Sequence, residues 1–375
     1  MIIMALDHTR DYFHEGAFLF DPTDVTKTTV ILFFTRWITH FCAPIFVLLA
    51  GTSAFISGQR KTKKELASFL LKRGLWLIIL EETLVNFEWF FNTEFSFFIF
   101  GVIWVLGLSM IFLAGMIFLP KKLILAIGLI MVFAHNLLDK THFNGKDTMG
   151  FLWGILHERK VFHLGHINIA EAYHLIPWLG VMALGYCLGS IFASGFDRAK
   201  RKKILLQLGI SSLVLFIIIR SINVYGNLQP WEVQPSPVMT LLSFLNISKY
   251  PPSLDYLLIT EGFALLFLAL TEHITNRLTK FISVYGRVPM FYYLSHILLI
   301  HLLAILAASL TGFRWTDMTG FTAWIDLMPN LKGYGFNLGV VYLIWIFVVL
   351  VLYPFCKKYD QYKSTHKEKW WLSYL

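Results

Sequence analysis

The chain has 375 residues, 57% of them hydrophobic, 17% aromatic and only 15% charged. Soluble proteins carry about 25% charged and roughly 45–50% apolar residues. This balance excludes a soluble enzyme, a disordered chain, a coiled coil and a disulfide scaffold, and points to a polytopic membrane protein. The net charge of +9 says less as a sum than the positions of the positive residues do.

A membrane-crossing helix needs about 20 mainly apolar residues to span roughly 30 Å of hydrocarbon. In chain order, the apolar runs predict a fragment at Met1–Leu6 and nine full spans. The spans lie near residues 38–57, 66–87, 97–118, 123–138, 174–193, 204–222, 253–271, 289–310 and 338–355. The expected fold is an all-α transmembrane bundle of about 10 helices, residues 1–355, followed by a basic and aromatic tail, 356–375. Six apolar residues cannot cross a bilayer, so the first helix is expected to lack its upstream half or to enter with polar residues facing the bundle. Pro230, Pro235, Pro237, Pro251 and Pro252 crowd one long loop, which is expected to be ordered but not helical.

Lys and Arg set the sidedness. Arg60, Lys61, Lys63, Lys64, Lys72, Arg73, Lys121 and Lys122 lie in alternate, short connections. So do Arg198, Lys200–Lys203, Arg277, Lys280 and Arg287, and the tail adds five Lys. Together these connections hold 21 of the 32 basic residues. The positive-inside rule puts them, and both termini, in the cytoplasm. Nine of the 13 His then fall on the opposite side: His8, His14, His40, His135, His142, His157, His163, His166 and His174. Groups that titrate near neutrality, gathered on one face, suggest proton chemistry or ligand binding there.

Four constellations carry candidate chemistry. The first is Asp7-His8-Thr9-Arg10-Asp11-Tyr12-Phe13-His14, in which helical spacing puts Asp7, Arg10, Asp11 and His14 on one face. Charge so near the membrane core is functional by default; the bland reading is an ion-paired helix end. The second surrounds His40, where Pro44 frees a backbone carbonyl one turn back and so builds a polar niche. Gly51, Ser53 and Ala54 beyond it are small residues suited to close helix packing. The third is the 66–87 span, with Arg73 near its inner end and Glu81, Glu82 and Asn86 deep in it; a proton relay and a structural anchor are both open. The fourth is Tyr285-Gly286-Arg287-Val288-Pro289, leading to Tyr292 and His296 four residues apart, with Arg287 at the cytoplasmic mouth.

Other signals point away from alternative classes. Cys42, Cys187 and Cys356 have no metal-ligand or disulfide spacing, and His157, His163 and His166 lack supporting carboxylates or thiols, so no metal is expected. The short basic runs suit anionic lipid headgroups, not nucleic acid.

Taken in order, Asp7–His14, Phe41–Phe46, Ala50–Ser53 and Gly286–Tyr292 with His296 resemble a bacterial family of multi-pass membrane proteins. That family shares the catalytic domain of heparan-alpha-glucosaminide N-acetyltransferase. The tail Lys357–Leu375, ending Lys369-Trp370-Trp371-Leu372-Ser373-Tyr374-Leu375, looks like the bacterial branch. The resemblance implies transfer of an acetyl group from cytosolic acetyl-CoA to an amine on the other face, through a histidine at the outer end of the first helical region. That role falls on His14, with His8 the alternative because the short loop does not align uniquely, and Asp7 beside them. Asp7 departs from the Asn of the lysosomal enzyme, and an Asp-x-x-Arg-Gly-like stretch expected upstream is not in the chain, which favours a missing first half-helix.

The expected activity is therefore that of an acyltransferase moving an acetyl or other short acyl group onto an extracytoplasmic sugar or amine, in a bacterial inner membrane. Arg10, Asp11, His40, Glu81, Tyr292 and His296 are expected to bind substrate, and Arg73 and Arg287 the phosphates of acyl-CoA. The expected partners are acyl-CoA, the acceptor and the bilayer, with a homodimer left open and no nucleic acid. The rival class is a proton-coupled transporter using Asp7, Glu81, Glu82 and the outer His as a relay.

Overall fold

The computed structural model describes residues 1–143 and 147–373. Tyr374 and Leu375, the end of the bacterial-type tail, lie outside the described residues. The helices are α1 (Ile2–Phe13), α2 (Val30–Gly58), α3 (63–90), α4 (Val102–Met116), α5 (Lys121–Leu138), α6 (Thr148–Leu156) and α7 (Leu175–Phe192). They continue with α8 (Arg198–Ile222), α9 (Pro237–Leu245), α10 (Leu254–Thr271), α11 (Arg277–Arg287), α12 (Pro289–Leu310) and α13 (Leu338–Thr365). Among the described residues, seven of these (α2, α5, α7, α8, α10, α12 and α13) are long and apolar enough to cross a membrane. The protein is an integral membrane helix bundle.

Local chemistry explains where the helices begin. At the start of α3, Thr62 and Glu65 form a reciprocal capping box. The Asp197 side chain caps α8, and Asn337 accepts the N–H of Val340 at the start of α13. Near its other end α3 passes through a π-helical turn at Glu81–Val85, which reorients its last stretch.

Two expectations are corrected. Residues 97–100 of the expected 97–118 span form a strand, and the helix starts only after Gly101. Strand β1 (Phe97–Phe100) runs parallel to β3 (Ile167–Glu171), with Phe100 opposite Glu171. Strand β2 (Lys160–Leu164) pairs antiparallel with β3 and completes the order β1-β3-β2. The proline-rich loop also contains a helix, α9. Pro237 sits in its first turn, where a missing N–H costs nothing, and the Ser236 side chain accepts from Met239 N.

Loop segments 14–29, 91–101, 139–143, 147–174, 223–253 and 311–337 gather at the end that carries the sheet. Contacts between them fasten that end: Phe336 N donates to Phe13 O at 2.7 Å, Gly320 N to Phe91 O, and Asn246 Nδ2 to Thr23 O. The short basic connections lie at the other end.

Helix pairing rests on small residues. A Cβ on Gly51 would stand 2.1 Å from Met182 O, and one on Gly185 would stand 2.2 Å from Leu48 O. The backbones of α2 and α7 are therefore in direct contact, and the Thr52 hydroxyl bonds Gly185 O at 3.1 Å across the joint. The expected small-residue patch is a packing surface.

The buried side chains form two apolar clusters. One unites α2, α3, α4, α7, α8 and α10; the other unites α1, α12, α13 and the 313–336 loop. Helices α1 and α12 lie on the seam. Met4 and Tyr293 belong to the first cluster, while Leu6, Tyr12, Tyr292 and Ile300 belong to the second. The polar groups of α1 and α12 meet along that seam.

Candidate active site

His8 on α1 and His296 on α12 meet ring nitrogen to ring nitrogen, Nδ1 to Nε2, at 2.8 Å. Their rings stack with centroids 4.9 Å apart and planes 15° apart. His296 is fully buried, and its Nδ1 lies 2.7 Å from Tyr292 O one turn earlier on α12. A carbonyl oxygen only accepts, so that nitrogen carries the proton. In neutral His296 the lone pair is then on Nε2, and His8 Nδ1 must donate to it. This leaves the lone pair of half-buried His8 on Nε2. The pair fixes the His8 tautomer as a carboxylate does in other histidine sites. Trp89 stands edge-on to His8 with a centroid separation of 4.7 Å, and the Tyr292 ring stacks on His296 at 5.0 Å.

Beside His8, beginning with its chain neighbour Asp7, lies a charge network. Arg10 Nη2 reaches Asp7 Oδ1 at 2.9 Å and Asp11 Oδ1 at 2.6 Å. Arg36 Nη1 of α2 donates to Asp7 Oδ2 at 2.6 Å. The four groups balance in charge, which is what allows Asp7 and Arg10 to be buried. Arg36 was not legible as a site residue, because it sits 29 positions away on a helix whose register no local spacing fixes.

His14 stands apart from this network. Helix α1 ends at Phe13, and His14 has extended backbone angles (φ −82°, ψ 129°), so the expected shared face with Asp7, Arg10 and Asp11 stops one residue short. Its Nδ1 accepts the Gly16 N–H at 3.0 Å. The neutral ring therefore has its one lone pair engaged and its proton on Nε2. Burial lowers the His14 pKa from its ordinary value, with Arg10 adding to the effect.

The remaining candidates are spread over the bundle. His40 is buried against the Tyr256 ring, its Nδ1 has no hydrogen-bond partner among the described residues, and its backbone carbonyl accepts the Tyr256 hydroxyl at 2.7 Å. That carbonyl lies four residues before Pro44, the position whose absent N–H would otherwise have bonded it. Glu81 is buried with its carboxylate at the start of α4, where it accepts Ile103 N–H at 3.1 Å. Asn86 of the same helix reaches Glu82 Oε2 at 3.3 Å. Arg73 lies over the Phe69 ring, at the basic end. Arg287, also at that end, is paired with Asp360 of α13 at 2.8 Å.

The architecture and this histidine-centred seam define a multi-pass membrane protein with a buried polar site between two half-bundles. The model of the family "Heparan-alpha-glucosaminide N-acetyltransferase, catalytic" matches residues 2–230, more than half of the chain, and the chain belongs to that family of transmembrane acetyltransferases. The match spans α1 and the charge network but stops before α12, which supplies His296. No curated protein is similar enough to be matched with it.

Proposed function

We propose that this protein is a transmembrane acyltransferase that moves an acetyl or other short acyl group from cytoplasmic acyl-CoA to an extracytoplasmic sugar or amine, with His8 as general base. The observation that carries the choice of base is the His8–His296 contact, because it leaves an oriented lone pair on Nε2 of half-buried His8. The acceptor amine or hydroxyl attacks the thioester carbon and gives its proton to His8 Nε2. The new bond to carbon forms, the C–S bond breaks, and CoA leaves as thiolate. A neutral imidazole suits this step because one nitrogen can take the proton while the other keeps its partner. His296 acts as a positioning residue, and its Nε2 accepts from the His8 imidazolium as it forms. Asp7, Arg10, Asp11 and Arg36 hold α1 in place beside the base and supply a polar wall for the acceptor.

His14 becomes the second choice, since its lone pair is taken by Gly16. Arg73 and Arg287 at the basic end are suited to CoA phosphates, Arg287 by exchanging Asp360 for phosphate. The basic connections favour a cytoplasmic location for that end, and the resemblance to the bacterial branch favours a bacterial inner membrane. The test is transfer of labelled acetyl from acetyl-CoA to glucosamine by the purified, reconstituted protein. Transfer that disappears in His8→Ala supports the reading. Proton flux driven by solute in vesicles free of acyl-CoA, with no transfer, would replace it with the transporter.

A further inference from the structure

Three loops of the sheet end converge on Tyr250. The Arg159 guanidinium, from the turn between α6 and β2, lies 5.8 Å from the Tyr250 ring centre and 5.4 Å from that of Trp324. The Lys249 ammonium lies 5.1 Å from the centre of the Tyr250 ring. Tyr173 stands edge-on to Tyr250, their hydroxyls 3.5 Å apart. Stacking fixes a guanidinium plane while leaving its N–H edge open to a ligand.

The charges here do not cancel. Asp7 and Asp11 are balanced by Arg10 and Arg36. Glu158 is engaged by Lys160 at 2.8 Å and His142 at 2.9 Å. Burial pushes Glu171 up to about 8, so near neutrality it adds little negative charge. Among the described residues, neither Arg159 nor Lys249 forms an ion pair with a carboxylate. Two uncompensated cations thus flank a cluster of aromatic rings.

This cluster adjoins the histidine seam. Burial raises the Tyr250 hydroxyl, but Lys249, Arg36 and the Tyr173 hydroxyl together bring it below its ordinary value. Arg36 is the same residue that holds Asp7, next to His8 in the chain.

We propose that Arg159 and Lys249, with Tyr250 and Trp324, form an anion subsite that binds a phosphate group carried by the acceptor and stacks its sugar ring. The subsite rests on the acyltransferase reading only for the word acceptor; the binding itself does not require catalysis.

The test uses the full chain in zwitterionic nanodiscs without acyl-CoA and measures binding of glucosamine 6-phosphate, glucosamine and inorganic phosphate by calorimetry. Two charge-assisted contacts predict that glucosamine 6-phosphate binds roughly tenfold or more tighter than glucosamine. Stacking predicts that it also outbinds inorganic phosphate. The preference should weaken with added salt and vanish in Arg159→Gln/Lys249→Gln, while Arg159→Lys keeps part of it. Displacement of glucosamine 6-phosphate by phosphatidylglycerol in the disc would support the same subsite with a lipid-borne phosphate as its source. Equal affinity for the charged and neutral sugars, or a preference that survives in the double variant, would overturn the proposal. Failure of acetyl transfer with the binding preference intact would count against the acyltransferase reading alone.

Discussion

His8 Nδ1 and His296 Nε2 lie 2.8 Å apart although 288 residues separate them in the chain. Since the second nitrogen of His296 is committed to Tyr292 O, the contact dictates which nitrogen of His8 is basic. His296→Ala should lower kcat at least roughly tenfold by freeing the His8 ring to choose its tautomer. The KM for acyl-CoA should stay near that of the unaltered protein, because among the described residues the contacts of His296 run to His8, Tyr292 and Tyr293 and not to Arg73 or Arg287. Steady-state kinetics over a range of pH would check the split, and a KM effect alone would contradict it.

Asp7 bridges two arginines, and its loss would leave both without their shared partner. Asp7→Ala is expected to destabilise the fold by about 3–5 kcal/mol, the cost of breaking a buried ion pair on one side. Arg36→Ala should cost less, because Asp7 retains Arg10 at 2.9 Å. Thermal unfolding in detergent, with both variants compared at one protein concentration, would show the order.

The joint between α2 and α7 predicts a steric effect. In Gly185→Ala the new methyl would meet Leu48 O at 2.2 Å, inside any real contact distance. Overpacking of this kind typically costs about 1–3 kcal/mol. Gly115→Ala is the control, since a Cβ there meets nothing within 4 Å.

Glu171 gives a pH signature. Its carboxyl is buried against Gly154, and burial raises it from its ordinary value of 4.5 to about 8, against the pull of Lys160. The folded protein therefore holds this proton more tightly than the unfolded chain. The resulting stabilisation is complete below 4.5 and declines as pH rises through the window to about 8. Glu171→Gln should remove that part of the slope, which unfolding measured at several pH values would reveal.

The sequence made the bundle legible because membrane spans are long and uniform in composition: each of the nine expected runs lies largely in a helix, and seven of those helices are long and apolar enough to cross a membrane. Short elements were not legible. Phe97–Phe100 is apolar enough to read as helix, and only its pairing with β3 makes it a strand. Helix α9 was hidden because a cluster of prolines reads as a breaker unless one falls in the first turn. Within the site, spacing on α1 anticipated the Asp7–Arg10–Asp11 contacts. It did not anticipate that His14 leaves the helix, nor that Arg36 and Trp89 come to the same seam. Those are tertiary contacts between distant segments, and no local period encodes them.

The most direct measurement is the rate of acetyl transfer from acetyl-CoA to glucosamine by reconstituted protein carrying His8→Ala or His14→Ala, each shown to be folded. Removing a general base costs roughly a hundred- to ten-thousandfold. The account predicts a loss of that size in His8→Ala and a much smaller one in His14→Ala, whose ring holds a turn through Gly16. Full activity in His8→Ala, with the loss in His14→Ala instead, would contradict it.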